Sequence, residues 1–241
     1  MQRIGTWTIV LLLFGLAGYF YCQAPVRRTV SLTETMPLAA AEPVRGVERG
    51  QGPNFALARR NFIGASWRQE GVTVVPNAAT APDGTQTADR LEETRSGGRH
   101  RIETSLTGLA TGEVHTLSLY IKRGERSDVM FEMRDVTPGK YGFVKFDLRR
   151  KAVVAQSGDV SDFGVQELPT GWFRCWAAMP YATDRAVFNF ALLSSAAAVE
   201  YGGDGRSGLL IWGVQFERGA KPGGYSDSEG PPAPSVVKKV D

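Results

Sequence analysis

Apolar and polar residues alternate with a period of two through most of the chain after Pro53. In residues 116–122, for example, Leu117, Leu119 and Ile121 fall on one side, and polar or aromatic residues fall on the other. This alternation predicts strands that bury one face and wet the other, as in antiparallel sheets packed as a sandwich. The segments with the clearest pattern are 116–122, 128–134, 142–148, 172–179 and 210–216.

The same alternation predicts which side chains enter the core. Two tryptophans, Trp67 and Trp212, are expected there as well. The other predicted core residues are Val129, Phe131, Met133, Val144, Phe146, Leu148, Phe173, Cys175, Ala177, Met179, Leu210, Val214 and Phe216.

Glycine and proline separate these segments at short intervals. The chain has 28 glycines and 13 prolines, and turn sequences such as PDG at 82–84 and GGDG at 202–205 stand between the alternating segments. After residue 52 no stretch shows a helical period. Short helical turns are expected only near 55–60 or 194–199. About ten short strands with frequent turns favour an all-β fold, an antiparallel jelly-roll β-sandwich.

An apolar run at residues 6–21 precedes this body. Its length suits a signal peptide or a short membrane anchor, and Pro25 directly after Cys22-Gln23-Ala24 disfavours cleavage. We therefore expect one N-terminal hydrophobic helix at residues 1–24, a signal anchor in preference to a signal peptide. A flexible linker at 25–52, the sandwich domain at 53–228 and a disordered tail at 229–241 follow. The domain is expected to lie outside the cytoplasm, in the periplasm or at the cell surface, anchored or secreted.

Charge and cysteine content exclude some classes of function. The net charge of +3 is small and the arginines alternate with acids, so nucleic-acid binding is not expected. Cys22 and Cys175 lie too far apart in the predicted organisation to form a disulfide. His100 and His115 are the only histidines, which argues against a metal site built on cysteine and histidine.

Four segments resemble a known family when they are taken in order. They are VTVVPNAATAPDGTQTADRLE at 72–92, GEVHTLSLYIKRGERSDV at 112–129, GWFR at 171–174 and GDGRSGLLIWGVQFERGAKPGGY at 203–225. Together they resemble carbohydrate-binding-like jelly-roll domains of phage tail and capsid-decoration proteins and of bacterial surface proteins. The resemblance implies a galactose-binding-like sandwich, related in shape to the carbohydrate-binding modules of glycosidases.

The faces opposite the predicted core carry the candidate ligand-binding residues. Sugars stack their C–H faces on aromatic rings, and charged or amide side chains read their hydroxyls. Trp176 and Arg174 are the first candidates because they stand two residues apart on one such face. An alternative is that Trp176 and Phe143 pack beneath a loop. The full candidate set is Trp176, Arg174, Tyr120, Phe143, Glu132, Arg134, Lys145 and Gln215.

No cofactor is required by these patterns, although sandwich modules of this kind often hold a structural calcium ion. Carboxylates at turns and strand ends would supply its oxygen ligands, and the candidates are Asp83, Asp204 and Glu217.

Catalytic motifs are not recognised in the sequence. No nucleophile elbow occurs, and neither histidine stands in a lyase-like motif. We therefore expect a non-catalytic module that binds a poly- or oligosaccharide in the bacterial envelope. One alternative is a structural or adhesion subunit that binds protein, in an envelope complex or as a virion-like decoration. A second is a polysaccharide lyase or hydrolase.

Overall fold

The computed structural model describes residues 54–55 and 61–226. These residues contain no α-helix, and thus none that is long and apolar enough to cross a membrane. Fourteen strands form in this part of the chain. They are β1 (Arg68–Glu70), β2 (Val72–Ala79), β3 (Ala88–Glu93), β4 (Gly97–Gly98), β5 (His100–Thr107), β6 (Val114–Lys122), β7 (Asp128–Asp135), β8 (Tyr141–Asp147), β9 (Ala152–Gly158), β10 (Asp162–Glu167), β11 (Trp172–Pro180), β12 (Arg185–Leu193), β13 (Tyr201–Gly202) and β14 (Gly208–Arg218).

The strands form two six-stranded antiparallel sheets and one small ribbon. Sheet I has the order β1-β5-β12-β7-β8-β9, and sheet II has the order β10-β11-β6-β14-β3-β2. The ribbon consists of β4 and β13. The predicted antiparallel β-sandwich is thereby confirmed.

Side chains from the inner faces of both sheets form one apolar core. The inward residues that alternation predicted in 116–122, 128–134, 142–148 and 172–179 all belong to it, and Trp67 joins them. Three rings lie at its centre, with Phe131 packed edge-on against both Phe146 and Phe190 at 4.9 and 4.8 Å between centroids. A period of two was therefore a sufficient guide to the core in these four strands.

In β14 the predicted face is wrong for Leu210 and Trp212, although Trp212 is fully buried as predicted. The pairing of β14 with β6 shifts register between Trp212 and Gln215, and Gly213 has a φ of 62°. This bulge inserts one residue, which reverses the alternation. As a result Ile211, Val214 and Phe216 enter the core, whereas Trp212 is buried on the outer face of sheet II.

The outer face of sheet II thus carries a second apolar cluster. Trp212 packs there against Tyr225 at 4.5 Å and Tyr120 at 5.3 Å between ring centroids, and its Nε1 donates to Thr87 Oγ1 at 3.0 Å. A Cβ at Gly213 would lie 3.0 Å from the Tyr225 ring, so glycine also provides space at the bulge.

All connections between strands lie at one of the two ends of the sandwich. One end, which we call the ribbon end, has the loops that follow β3, β6, β8, β10 and β12, together with the ribbon. The opposite end has the loops that follow β2, β5, β7, β9, β11 and β14. Side chains from distant parts of the sequence therefore meet at each end.

Several expectations concern the termini. The predicted hydrophobic helix at 1–24, the linker at 25–52 and the tail at 229–241 lie outside the described residues and stay predictions, as does the extracytoplasmic location. Residues 194–199, expected as a helical turn, form a loop with one bridge between Ser195 and Ala198.

His115 makes folding stability depend on pH. The imidazole is fully buried, stacks on Phe216 at 5.4 Å and lies near Tyr181. Burial lowers the pKa of His115 below its ordinary 6.5, and Glu113 and Arg218 have smaller, opposing effects. Above pH 6.5 the ring is neutral in both states. Below it, the unfolded chain takes up a proton that the folded protein excludes, so stability falls as pH falls towards the lowered pKa.

We expect His115→Phe to remove this part of the pH dependence. The free energy of unfolding in urea, measured for both proteins between pH 7.5 and pH 5, checks it. If the free energy of unfolding changed with pH equally in both proteins, the assignment of this pH dependence to His115 would be contradicted.

Candidate functional site

The eight candidate ligand-binding residues do not share one surface. Four lie on the outer face of sheet I, and four on the outer face of sheet II, with the core between them. They are separated because β7 and β8 belong to one sheet while β6, β11 and β14 belong to the other. The first group is Glu132, Arg134, Phe143 and Lys145; the second is Tyr120, Arg174, Trp176 and Gln215.

The second group is largely covered by residues 219–226, which we call the C-terminal segment. Arg174 donates to Gly223 O at 2.6 Å and to Ser118 Oγ at 3.1 Å, and its guanidinium lies 5.2 Å from the centre of the Tyr120 ring. Gln215 donates to Gly224 O at 3.1 Å. Arg174, Tyr120 and Gln215 are buried. These residues therefore hold the segment in place and do not face solvent as the sequence predicted.

Trp176 packs against the neighbouring edge strand. Its register partner in β10 is Gly164, and a Cβ there would lie 2.1 Å from the indole ring. Glycine thus provides the space that the ring occupies. Within the described residues the buried Nε1 of Trp176 has no hydrogen-bond acceptor.

Three residues of the first group, Glu132, Phe143 and Lys145, border a cleft on the outer face of sheet I, which we call the outer cleft. Its volume is about 580 Å³. Met130 and Phe143 form its apolar floor with Val199, and Tyr141, 45% exposed, lies at its rim. It is lined by Arg99, Met130, Glu132, Tyr141, Phe143, Lys145, Ala197, Ala198, Val199 and Glu200.

One arginine joins the two carboxylates of the outer cleft. Arg99 Nη1 lies 2.9 Å from Glu132 Oε2, and Arg99 Nε lies 3.6 Å from Glu200 Oε1. Asn189, which is fully buried, donates to Glu132 Oε2 at 3.1 Å. A fixed guanidinium and a fixed carboxylate side by side present donors and acceptors in set directions. This arrangement can read a pattern of hydroxyl groups.

The charged network extends away from the cleft across sheet I. Arg101 lies 3.8 Å from Glu132 and 3.5 Å from Glu103, and Glu103 also accepts from Arg134 at 2.9 Å. Arg134, one of the predicted ligand residues, therefore binds Glu103 and does not line the cleft.

Lys145 anchors the wall of the outer cleft. Its Nζ donates to Ala196 O at 2.8 Å and lies 5.8 Å from the centre of the Phe143 ring. The wall is the loop 194–200, which we call the wall loop. Lys145 thus fixes one end of this loop.

The ribbon fixes the other end of the wall loop. Tyr201 donates to Glu93 Oε2 at 2.9 Å and stacks on His100 at 4.3 Å between centroids. Glu93 is buried and also accepts from Arg126 Nε and Nη2 at 2.7 and 2.6 Å. Arg99 and Glu200 stand next to His100 and Tyr201 in the sequence, so this buried cluster sets their position at the cleft.

Sequence reasoning missed Arg99, Tyr141 and Glu200. Tyr141 continues the alternation of Phe143 and Lys145 and could have been found by extending that strand by one residue. Arg99 and Glu200 had no such signal, because they meet only through the pairing of Gly98 with Tyr201 across about 100 residues.

The three calcium candidates are not brought together. Asp83 Oδ1 accepts from the N–H and hydroxyl of Thr85, and Asp204 accepts from the N–H and hydroxyl of Ser207. Asp204 precedes β14 and Glu217 is the penultimate residue of that strand, so about 30 Å of strand lies between them at 3.3 Å per residue. Within the described residues no three His, Cys, Asp or Glu side chains form a metal-binding group. Calcium binding itself stays a prediction.

No protein-family model matches the sequence, and no curated protein matches it. Among solved structures, the chain is similar to the enzymatically active domain of tailspike protein 4 of bacteriophage CBA120. The identity is 16% and the TM-score is 0.41, over 68% of this chain and 21% of the tailspike chain. The match thus spans about a fifth of that protein's length.

The expectation of a non-catalytic domain is contradicted by this comparison. The tailspike domain is named as enzymatically active, so we withdraw that part of the sequence-based interpretation. At this TM-score the likeness assigns no activity to the present chain.

Proposed function

We propose that the domain binds a glycan in the outer cleft. The observation that carries the proposal is the position of two aromatic rings, Tyr141 and Phe143, beside the salt-bridged side chains of Arg99, Glu132 and Glu200. A pyranose ring has an apolar C–H face that packs on an aromatic ring, and hydroxyls that need directed donors and acceptors. The cleft offers both within one surface.

The size and rigidity of the outer cleft support the proposal. Its volume of about 580 Å³ lies within the range of small-ligand sites. Its floor consists of adjacent paired strands, β7 and β8, and its wall loop is held at Ala196 and Tyr201. A site held on strands loses little conformational entropy on binding.

Tyr141→Ala tests the proposal. The full-length chain is first screened on a glycan array, and affinity for a bound glycan is then measured by calorimetry. We expect the substitution to weaken binding about five- to thirtyfold, because loss of one stacked ring removes about 1–2 kcal/mol. The folded structure should be unaffected, since Tyr141 is exposed.

Phe163→Ala is the matched control. Phe163 is also an exposed aromatic residue on a strand, but it belongs to β10 of sheet II and lies outside the outer cleft. Its replacement should leave affinity unchanged. Absence of binding to any glycan, or equal loss in both variants, would overturn the proposal; a stoichiometric protein partner found instead would favour the structural or adhesion alternative.

We also propose that the sandwich is a jelly roll of the galactose-binding-like kind. Support comes from the chain path: β5, β7, β9 and β12 of sheet I each connect directly to a strand of sheet II. Repeated crossing between two antiparallel sheets is typical of Greek-key and jelly-roll sandwiches. A crystal structure with a different strand order in either sheet would contradict this assignment.

A further inference from the structure

We infer that the ribbon end binds an acidic group of the ligand, a carboxylate or a sulfate, so that the glycan recognised is an acidic one. This inference rests on the proposed function and names the class of glycan. It is carried by the distribution of charge between the two ends of the sandwich and by a second cleft at the ribbon end.

Cations and anions are segregated between the ends. In the described loops of the ribbon end, basic residues clearly outnumber acidic ones, whereas acids predominate in the loops of the opposite end. The ribbon-end loops carry Arg95, Arg99, Arg123, Arg126, Arg149, Arg150, Lys151 and Arg206 against Glu125, Glu200 and Asp204. The opposite loops carry Asp83, Glu113, Asp159 and Asp184 against Lys140 and Lys221. The net charge of the chain conceals this polarity.

A cleft of about 350 Å³ lies within this basic end, and we call it the basic cleft. Its cations come from both sheets: Lys122 ends β6 of sheet II, and Arg149 follows β8 of sheet I. The cleft is lined by Lys122, Arg123, Gly124, Glu125, Ser127, Arg149 and Gly171.

The acidic groups at the basic cleft are already engaged. Glu125 accepts from Arg90 Nη2 at 2.7 Å and from the Gly208 N–H at 3.2 Å. Asp128 accepts from Ser127 Oγ and lies 3.2 Å from Arg149. In contrast, Lys122 and Arg123 have no ion pair with any described residue. Two uncompensated cations at one cleft favour an incoming anion.

The backbone leaves this cleft open. Gly171 stands beside Lys122, and even a Cβ there would come only within 3.9 Å of the lysine Cε. No other side chain of the 168–171 loop lines the basic cleft. A carboxylate or sulfate can therefore reach Lys122 from solvent.

One extended ligand can occupy both clefts. Tyr141 of the outer cleft and Arg149 of the basic cleft are eight residues apart, so at most about 28 Å of chain separates their Cα atoms, a span for an oligosaccharide of several sugar units. The outer cleft extends from Tyr141 to the ribbon end, where its wall loop and the β8–β9 loop both begin. An acidic oligosaccharide stacked on Tyr141 could then place an acid group near Lys122 and Arg123.

The test compares acidic and neutral probes on the full-length chain. The probes are an oligogalacturonate, a heparin oligosaccharide and a neutral galactan oligosaccharide, together with a single-stranded DNA oligomer of the same charge as the heparin. We expect tighter binding of an acidic glycan than of the neutral one, and about tenfold loss of that affinity between low and 0.3 M salt, since exposed charges are screened.

Variants at the two ends separate a local site from general attraction. We expect Lys122→Ala with Arg123→Ala to weaken acidic-glycan binding about tenfold and to remove most of its salt dependence. Lys140→Ala with Lys221→Ala removes the same charge from the opposite end and should leave the affinity for the acidic glycan unchanged. Thermal unfolding of both double variants verifies that they are folded.

The outcomes distinguish failure of this inference from failure of the proposed function. Binding of the neutral glycan alone, sensitive to Tyr141→Ala but not to Lys122→Ala with Arg123→Ala, would overturn the acidic assignment and leave the glycan site standing. Binding of no glycan at all would overturn both. Equal affinity for DNA and the heparin oligosaccharide would show a general polyanion surface and would overturn the assignment to glycan.

Discussion

Replacing Arg126 with alanine is expected to lower the free energy of unfolding by about 3–5 kcal/mol. The Glu93 side chain is fully buried, and Arg126 is the cation that binds it, through two hydrogen bonds of 2.7 and 2.6 Å. Burial by itself raises the pKa of Glu93, but the hydrogen bonds that it accepts from Arg126, the Asp204 N–H and Tyr201 hold that pKa below its ordinary value. Without Arg126 a buried carboxylate has lost its counter-charge.

Urea unfolding at pH 7 measures this loss. Arg206→Ala is the control, because Arg206 belongs to the same end of the sandwich and is 86% exposed, so its removal should change stability by less than about 0.5 kcal/mol. Arg126→Lys retains the charge but not the paired hydrogen bonds, so its loss of stability should lie between those of Arg126→Ala and Arg206→Ala. A loss below about 1 kcal/mol for Arg126→Ala would contradict the structural role assigned to the pair.

Arg174→Ala is expected to lower the free energy of unfolding by about 1–3 kcal/mol, because it leaves the buried Ser118 hydroxyl without this donor and removes the hydrogen bond that holds the Gly223 carbonyl. The C-terminal segment should then open more often. Hydrogen exchange at Gly223 to Ser226 measures this opening directly, and unfolding in urea measures the loss of stability.

Glycan affinity discriminates between the two interpretations of Arg174. If Arg174 is a structural residue, Arg174→Ala should lower glycan affinity only under conditions in which the variant unfolds. Reduced affinity with unchanged stability and unchanged exchange would restore the ligand-binding role that the sequence suggested. The stability and glycan affinity of Arg174→Ala are compared with those of Arg134→Ala. Arg134 is also a predicted ligand residue, but its side chain is 43% exposed and bound to Glu103.

Local periodicity was enough to predict most of the core. In β6, Leu117, Leu119 and Ile121 follow strict alternation because nothing interrupts the strand. In β14 the same reasoning failed at Leu210 and Trp212, since the residue inserted at the Gly213 bulge puts the positions before it out of phase with Val214 and Phe216 after it. The glycine was visible in the sequence, but a glycine in a strand does not by itself reveal whether a bulge forms there.

The candidate site was harder to predict because it depends on contacts between distant segments. Alternation placed Phe143 and Arg174 correctly on the outer sides of their strands. It could not show that β8 and β11 belong to different sheets, or that residues 219–226 return to cover Arg174. Both facts are set by pairing across long stretches of chain, for which a single sequence carries little signal.

The wall loop can change in sequence without disturbing the core of the sandwich. Its sequence, SSAAAVE, brings small side chains to the outer cleft at Ala197 and Ala198, and neither belongs to the core. Larger residues there would make the cleft shallower without altering either sheet. Domains with the same sandwich can therefore diverge in ligand preference through this loop alone, so conservation of the core would be a poor guide to a shared ligand.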